Sequence, residues 1–304
     1  MTTTVDGIVV VDKPTGWTSH DVVARIRRLA RTRRVGHAGT LDPMATGVLV
    51  IGVGKATRLL GHLAAHDKDY DATIRLGVTT TTDDADGEVA STTDAGAVSD
   101  AAIRVAMTAL TGELEQVPSA VSAVKVDGVR AYARVRAGES VELKPRPVHV
   151  ARFELRERRG DDLDVGVTCS TGTYVRALAR DLGAALGVGA HLVALRRTRV
   201  GGIGLDRART LDDLESLAAD ESFASAVVPL ADAVATAFPR WDVDAEGARR
   251  IALGQRLSPH GLPSGLVGAF APDGTLVALV EERDDAVRPT VVFAAPGSDA
   301  DDGS

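Results

Sequence analysis

The order in which strand-like and helix-like segments follow one another most constrains what this chain can fold into. Strands are predicted at 7–14, 70–76, 148–157, 163–169 and 191–200, and amphipathic helices at 18–30 and 172–187. The first helix pattern opens on Thr18 with Asp21 three positions later, which resembles a capping box. Because no regular strand–helix–strand rhythm connects these segments, the pattern favours an α+β domain over a doubly wound α/β domain.

The pattern changes near residue 239 and predicts a second, smaller unit. It consists of one short helix pattern, DAEGARRIALG, and three strand patterns near 266–271, 275–281 and 288–293. We therefore expect a first domain at 1–238, a β-rich second domain at 239–294 and a disordered acidic tail at 295–304. The first domain is expected to include an exposed acidic insertion at 79–100 and a connector at 211–238.

Basic residues are concentrated in one part of the chain. The formal net charge is −7 at pH 7, which by itself argues against a nucleic-acid partner. Between residues 13 and 58, however, there are nine basic residues and only two acidic ones, and this group includes Arg27, Arg31 and Arg34. Such arginines form either a solvated helix face or a phosphate-binding surface, and the local pattern alone favours the solvated face.

Two nucleotide-binding motifs are excluded by their spacing. The segment GVGKAT at 52–57 would need Gly in place of Leu49 and Ser or Thr in place of Ala56 to form a phosphate-binding loop of the Walker type. A dinucleotide-binding fingerprint would need a third glycine where Thr57 stands. We therefore expect no nucleotide cofactor.

Metal, disulfide and membrane classes are also disfavoured. His62 and His66 have a spacing that can bring two imidazoles to one metal, but the glutamate that metalloproteases have after the first histidine is missing, and no cysteine cluster supplies further ligands. The single cysteine, Cys169, cannot form an internal disulfide, and no apolar run of about 18 residues is present. We expect no bound metal, no membrane segment and a reducing cytosolic compartment.

The segment GHAGTLDPMATG at 36–47 carries the strongest signal. Its three glycines and one Asp-Pro pair indicate a loop of special backbone geometry, although an ordinary Asp-Pro turn would explain the aspartate alone. The segment resembles the catalytic motif of TruB-type pseudouridine synthases, in which Asp42 corresponds to the nucleophilic aspartate. Further segments resemble the same family in the same order: DKPTGWTSHD at 12–21, KDYDATIRLG at 68–77, DDADG at 83–87, STGTYVRALARDLG at 170–183 and GAHLVALRRTRVG at 189–201. One departure is Val121, where the family commonly has an aromatic residue.

This resemblance implies both a fold and a reaction. It implies a catalytic domain on a mixed, mainly antiparallel sheet with flanking helices, followed by a small β-rich, PUA-like RNA-binding domain. It also implies a cofactor-free, monomeric, cytoplasmic enzyme that flips uridine 55 out of the T loop of tRNA and converts it to pseudouridine. The alternative is a non-catalytic tRNA-binding or RNA-folding protein on the same scaffold.

The resemblance also implies roles for individual residues. Asp42, Tyr70 and Arg176 are expected to act in catalysis, with Arg176 favouring the charged form of Asp42. Substrate contacts are expected from His37, Tyr70, Tyr174, Leu195 and Lys13, where Lys13 either supports the site or contacts RNA. The RNA backbone is expected to lie along Arg27, Arg31, Arg34, Arg196, Arg197 and Arg199. Whether Asp42 attacks the sugar or the base, or assists departure of the uracil, stays open at this stage.

Overall fold

A computed structural model describes residues 6–119 and 143–294 in full, together with the backbone of two short strands between them. The tail at 295–304, for which we predicted disorder, and Val121 lie outside the described residues. Within the described part, no helix is long and apolar enough to cross a membrane.

The secondary structure follows the sequence patterns closely. The strands are β1 (Gly7–Lys13), β2 (Val35–Ala38), β3 (Thr46–Val53), β4 (Lys68–Leu76), β5 (Val78–Thr80), β6 (Val89–Thr92), β7 (Gly112–Gln116), β8 (Lys125–Val126), β9 (Val129–Arg130), β10 (Arg146–Arg159), β11 (Asp162–Cys169), β12 (Ala190–Val200), β13 (Ile203–Gly204), β14 (Val228–Pro229), β15 (Arg240–Asp242), β16 (Leu266–Phe270), β17 (Leu276–Arg283) and β18 (Ala286–Val292). The α-helices are α1 (Ser19–Leu29), α2 (Leu60–Ala64), α3 (Asp100–Ala109), α4 (Val175–Ala185), α5 (Leu211–Ala219), α6 (Leu230–Ala237) and α7 (Ala245–Ala252). The predicted capping box at the start of α1 is present, since Thr18 and Asp21 exchange hydrogen bonds.

The largest sheet has ten strands and is mainly antiparallel. Its main path runs β14-β1-β3-β12-β4-β11-β10-β7, with β2 added on β3 and β13 on β12. Among these pairs only β12 and β3 are parallel, and they meet over just two residue pairs, Arg196 with Thr46 and Arg197 with Gly47. The predicted α+β class on a mixed, mainly antiparallel sheet with flanking helices is therefore confirmed.

The two faces of this sheet have different surroundings. One face packs against α1, α3 and α4 in an apolar core that includes Val9, Ile51 and Ile74. The opposite face is apolar mainly along β1 and β3, whereas on β4, β10 and β11 it carries ion pairs such as Asp71 with Arg156. Because side chains alternate along a strand, a residue of β4 faces either the core or these ion pairs.

The C-terminal part forms its own four-stranded sheet, in the order β15-β16-β17-β18, with α7 packed on it. This sheet does not stand apart from the first one. Phe270, Leu279 and Phe293 share one apolar cluster with Val10 and Val48 of the large sheet. The β-rich character of this part is confirmed, whereas the division of the chain at 238 and 239 and the PUA-like identity stay predictions.

The segments 79–100 and 211–238 are both folded against the large sheet. Most of the acidic segment 79–100 is exposed, as expected, but Thr80 and Asp84 are buried. The reason is that β5 and β6 form a hairpin whose turn packs on β12, where Asp84 bridges to Leu192. The connector at 211–238 is likewise folded, because it contains α5 and α6 and adds β14 to the edge of the large sheet.

Candidate active site

The loop between β2 and β3 holds Asp42 from both sides. Ser19, buried at the start of α1, accepts a hydrogen bond from the Leu41 amide at 2.9 Å and donates one to the Leu41 carbonyl at 3.2 Å. On the other side the Pro43 carbonyl accepts from the Gly16 amide at 2.8 Å. Each neighbour of Asp42 is therefore anchored to a segment before the loop, which fixes the direction of the carboxylate.

Lys13 also anchors the loop that carries Asp42. Its side chain is fully buried, and the ammonium donates to the carbonyls of Pro14, Trp17 and Pro43 at 2.9, 2.6 and 3.2 Å. Burial lowers the pKa of Lys13 to about 8, while the charge of Asp42 acts in the opposite direction. The predicted substrate contact is thus at odds with the structure, and Lys13 supports the loop that carries Asp42.

Gly47 allows the loop to end beside β12. Its φ angle is +97°, and a Cβ atom there would lie 2.2 Å from the carbonyl oxygen of Arg197. No side chain fits in that space, so only glycine permits β3 and β12 to approach here. This contact brings the loop with Asp42 next to strands β12 and β4.

Six of the predicted site residues line one cleft of about 250 Å³, namely Asp42, Tyr70, Tyr174, Arg176, Leu195 and Arg197. They come from the loop after β2, from β4, from the start of α4 and from β12. Lys68 and the turn 170–173 also line this cleft. The predicted association of distant sequence segments is therefore present in the structure.

Arg176 lies between two carboxylates. Its Nη2 donates to Oδ1 of Asp42 at 3.2 Å, and its Nε lies 3.1 Å from Oδ2 of Asp42 without the alignment of a hydrogen bond. On the other side Nη1 donates to the Thr82 carbonyl at 3.1 Å and lies 3.4 Å from Oδ2 of Asp84. The side chains of Arg176 and Asp84 are 5% and 6% exposed, whereas that of Asp42 is 36% exposed. Asp84 is the buried counter-charge, and Asp42 is the carboxylate that a molecule in the cleft can reach.

Tyr70 and Lys68 are consecutive inward-facing residues of β4. Burial raises the pKa of the Tyr70 phenol, so the ring carries its proton at neutral pH. Burial also lowers the pKa of Lys68 to about 8, and its ammonium donates to the carbonyls of Ala64 and His66 at 2.9 and 2.8 Å. Lys68 is thus tied to the end of α2 while it forms part of the cleft.

His37 lies on β2, outside the residues that line the cleft. Its ring meets the ring of His20 edge-on, with 5.5 Å between the centroids. Burial lowers the pKa of His37, and the nearby charges of His20 and Arg197 lower it further. The Nδ1 atom of His37 is buried and has no hydrogen-bond partner among the described residues.

The structure contradicts an RNA-backbone contact for Arg197 of β12, whereas for Arg196 and Arg199 this role stays a prediction. Arg197 is fully buried, and it donates to the carbonyls of Val48 and Gly39 at 2.7 and 3.0 Å, so it forms part of the cleft wall. Arg196 and Arg199 project from the opposite face of the sheet. There Arg196 is paired with Asp12 through two hydrogen bonds of 3.0 and 2.7 Å, and Arg199 is paired with Asp69 at 2.6 and 2.9 Å. They therefore do not continue the cleft.

The arginines of α1 and the loop after it are placed differently. Arg27, Arg31 and Arg34 are exposed, and within the part of the chain described here none of them forms an ion pair. Arg27 donates to the Val35 carbonyl at 3.0 Å, which keeps one end of its guanidinium against β2. Arg25, by contrast, is paired with Glu215. These three cations remain predicted RNA contacts.

Asp84, Ser19 and Lys68 are site residues that the sequence reasoning missed. The signal for Asp84 was present, since it lies in the matched segment DDADG, but the acidic composition of its surroundings suggested exposure. For Ser19 no sequence signal distinguishes the loop contact from an ordinary residue at the start of a helix. Among the described residues, no group of three or more histidine, cysteine or acidic side chains is arranged to hold a metal.

Comparison with known families agrees with this arrangement. The TruB family pseudouridylate synthase N-terminal domain matches residues 27–175. The tRNA pseudouridylate synthase B C-terminal domain matches residues 176–235, and the C-terminal domain of tRNA pseudouridine synthase II matches residues 238–294. The three matches cover most of the chain in consecutive order.

Relatives and solved structures extend the comparison. The chain is 60% identical over 297 residues to the tRNA pseudouridine synthase B of Thermobifida fusca, a match that covers 95% of this chain and 99% of that protein. It is 56% identical over 302 residues to that of Streptomyces griseus, covering 96% and 99%. A solved H/ACA ribonucleoprotein bound to a substrate RNA containing 2′-deoxyuridine has a chain with a TM-score of 0.74 and 29% identity, over 96% of this chain and 86% of that one. An archaeal box H/ACA Nop10–Cbf5 complex gives a TM-score of 0.72 and 29% identity, with coverages of 96% and 87%. By these matches the chain belongs to the TruB family of pseudouridine synthases, isomerases that act on tRNA.

Proposed function

We propose that this protein converts uridine 55 in the T loop of tRNA to pseudouridine without a cofactor. The observation that carries the proposal is the Asp42–Arg176 pair, which lies in a cleft of about 250 Å³ with the Tyr70 ring. A space of this size can hold one extruded base. A base in a folded loop can be flipped out at lower cost than one in a duplex.

The isomerisation breaks the bond between N1 of uracil and C1′ of the ribose and forms a bond between C5 and C1′. The proton on C5 is lost and N1 gains one, so no electron carrier is required. Asp42 serves as the carboxylate that attacks the sugar or the base, or that assists departure of the uracil. Arg176 stabilises the negative charge of Asp42 and limits its movement, because its guanidinium is itself held by Asp84.

Tyr70, Leu195 and Tyr174 enclose the base in this proposal. The Tyr70 ring stacks on the uracil, and its hydroxyl, which is protonated at neutral pH, assists proton transfer at the base. Leu195 supplies an apolar wall. His37 lies on β2, and its half-buried ring stacks against the extruded base or takes the vacated position.

The exposed arginines of α1 and of the loop after it bind the phosphates of the T arm. Arg27, Arg31 and Arg34 have no carboxylate partner to displace among the described residues, so their pairing with phosphate has a low desolvation cost. The PUA-like module at 239–294 adds contacts to the same RNA. We expect the enzyme to act as a monomer in the cytoplasm, where tRNA is modified.

The test is incubation of the protein with an unmodified tRNA transcript, followed by chemical mapping of pseudouridine. We expect product at position 55, and none with a transcript that has cytidine there. Asp42→Asn should abolish product while tRNA binding in a filter assay is retained, because binding depends mainly on phosphate contacts. Asp71→Asn is the matched control, since Asp71 pairs with Arg156 on the opposite face of the sheet.

The same experiment separates the proposal from a non-catalytic RNA-binding role. A protein that only binds or refolds tRNA would leave every uridine unchanged, and Asp42→Asn would then have no effect on its action. Pseudouridine at a different position would refute the assignment of the T loop. Product formed by Asp42→Asn at a rate close to that of the wild type would remove Asp42 from the chemistry.

A further inference from the structure

Gln116, the last residue of β7, grips the backbone of Tyr174. Its Nε2 donates to the Tyr174 carbonyl at 3.1 Å, and its Oε1 accepts from the Tyr174 amide at 2.8 Å. The side chain is 3% exposed, so water does not compete for these two hydrogen bonds. A side-chain amide here reproduces the pairing that a neighbouring β-strand would offer to one residue.

The grip acts at the point where the chain enters α4. Tyr174 is the N-cap of this helix, and no side-chain hydrogen bond caps it. Its carbonyl also accepts the first intrahelical bond, from the Leu178 amide at 3.1 Å. Gln116 therefore fixes the peptide from which the first turn of the helix starts.

That first turn carries the cleft residues. Tyr174, Val175 and Arg176 all line the cleft, and Arg176 reaches Asp42 at 3.2 Å. A second tie lies one turn further along α4, where Arg180 donates to the carbonyl of Val117 at 2.8 Å. The end of β7 is thus joined to α4 at two successive levels, and the first of them is adjacent to the ion pair.

We propose that Gln116 is a positioning residue for the isomerisation, which holds the first turn of α4 so that Arg176 and Tyr174 are correctly placed around Asp42 and the base. This inference rests on the proposed function. Only an uncharged group that donates and accepts side by side satisfies both the amide and the carbonyl of Tyr174. A carboxylate only accepts, so it would oppose the Tyr174 carbonyl.

Gln116→Glu is the informative variant, because its protonated carboxyl can donate and accept while its ionised form cannot donate. Burial raises the pKa of a carboxyl group, so the change of state falls within the range of an activity assay. At pH 8.5 we expect kcat on tRNA to fall on the order of 10- to 100-fold, as for other small misplacements in active sites. The deficit relative to wild type should shrink as the pH is lowered to 6, whereas KM should change less than about 3-fold because phosphate contacts lie elsewhere.

Gln116→Met has a similar shape and no hydrogen-bonding group, and its loss of kcat should not depend on pH. Glu115→Gln, the reverse change at the exposed neighbouring residue of β7, is the matched control and should behave as wild type. Amide hydrogen exchange of residues 175–178 gives a readout that does not depend on activity. Exchange there should be faster in Gln116→Met than in wild type, whereas amide exchange in the rest of the protein should be unchanged.

The outcomes separate the two ideas. A wild-type protein that makes no pseudouridine refutes the proposed function, and exchange at 175–178 then still reports whether Gln116 fixes the helix start. With active wild type, a deficit of Gln116→Glu that is the same at every pH, or one that appears in KM rather than kcat, overturns the positioning role. Wild-type kcat and wild-type exchange in Gln116→Met overturn it as well.

Discussion

Removal of the Arg176 guanidinium should destabilise the protein chiefly through Asp84 rather than through Asp42. In Arg176→Met the side chain of Asp84, 6% exposed, would lose its paired cation in a site that water hardly reaches, whereas Asp42, 36% exposed, can be hydrated. Breaking a buried ion pair by removing one partner costs about 3–5 kcal/mol. For a protein of this size we expect the melting temperature to fall by about 5–15 °C.

A second substitution should restore stability without restoring activity. Asp84→Asn keeps an oxygen for the Asp86 amide, which now donates to Oδ1 at 3.1 Å, and it removes the charge. The double variant Arg176→Met/Asp84→Asn should therefore recover about 2 kcal/mol or more of the lost free energy of unfolding. Pseudouridine formation should remain absent, because Asp42 still lacks its cation.

Urea denaturation of the wild type, both single variants and the double variant gives the coupling energy, and tRNA modification is measured on the same samples. The control cycle uses Arg75 and Asp162, whose side chains are 47% and 23% exposed and should couple by less than about 1 kcal/mol. A coupling between Arg176 and Asp84 below about 0.5 kcal/mol would refute the account of Asp84 as a buried counter-charge. Recovery of activity in the double variant would refute the role of Arg176 toward Asp42.

Three further outcomes are expected. Changing Arg27, Arg31 and Arg34 together to Gln should weaken tRNA binding and flatten its dependence on salt, and an unchanged slope in a salt titration would show that they form only a solvated face. Tyr70→Phe should bind tRNA but lose about 10²–10⁴-fold in product formation if the hydroxyl assists proton transfer, while Tyr70→Leu should also lose base stacking; equal, nearly full activity of both would make Tyr70 an ordinary core residue. Burial lowers the pKa of His66, so the unfolded chain binds the proton more readily and stability should fall as the pH drops through about 6.5; His66→Gln should reduce this dependence in denaturation curves, and an identical dependence would contradict it.

The sequence predicted secondary structure correctly where local propensity and hydrophobic periodicity both favour the element that forms. The β-branched run of β1 and the capping box of α1 were predictable because local propensity and periodicity agree with the fold. The prediction that Asp42, Tyr70 and Arg176 act together rested on the family resemblance. Periodicity by itself does not say that these three segments meet.

Buried cations were not predictable. Lys13 and Arg197 look like surface residues in the sequence. Their burial is possible because their charged groups donate to backbone carbonyls of distant segments, such as those of Pro43 and Val48. Arg199 illustrates a second limit. Simple alternation would place it with Arg197, but a register shift between these residues puts it on the opposite face.

The apolar cluster that joins the two sheets fixes the position of the C-terminal module relative to the cleft. Arg58 covers the Phe293 ring at 5.1 Å and donates to the Val292 carbonyl at 2.7 Å, so even the last described strand is held against the large sheet. These contacts disfavour a rotation of the C-terminal module relative to the large sheet when a ligand binds. If the module contacts the same RNA as the cleft, as proposed above, that RNA must present the two contacts at one set spacing. We then expect tRNAs whose stems are lengthened or shortened by a base pair to be poor substrates even when their loop sequence is correct. Deleting the module would expose the side chains of Val10 and Val48, which now lie in the shared cluster. We therefore expect a shortened protein to be less soluble.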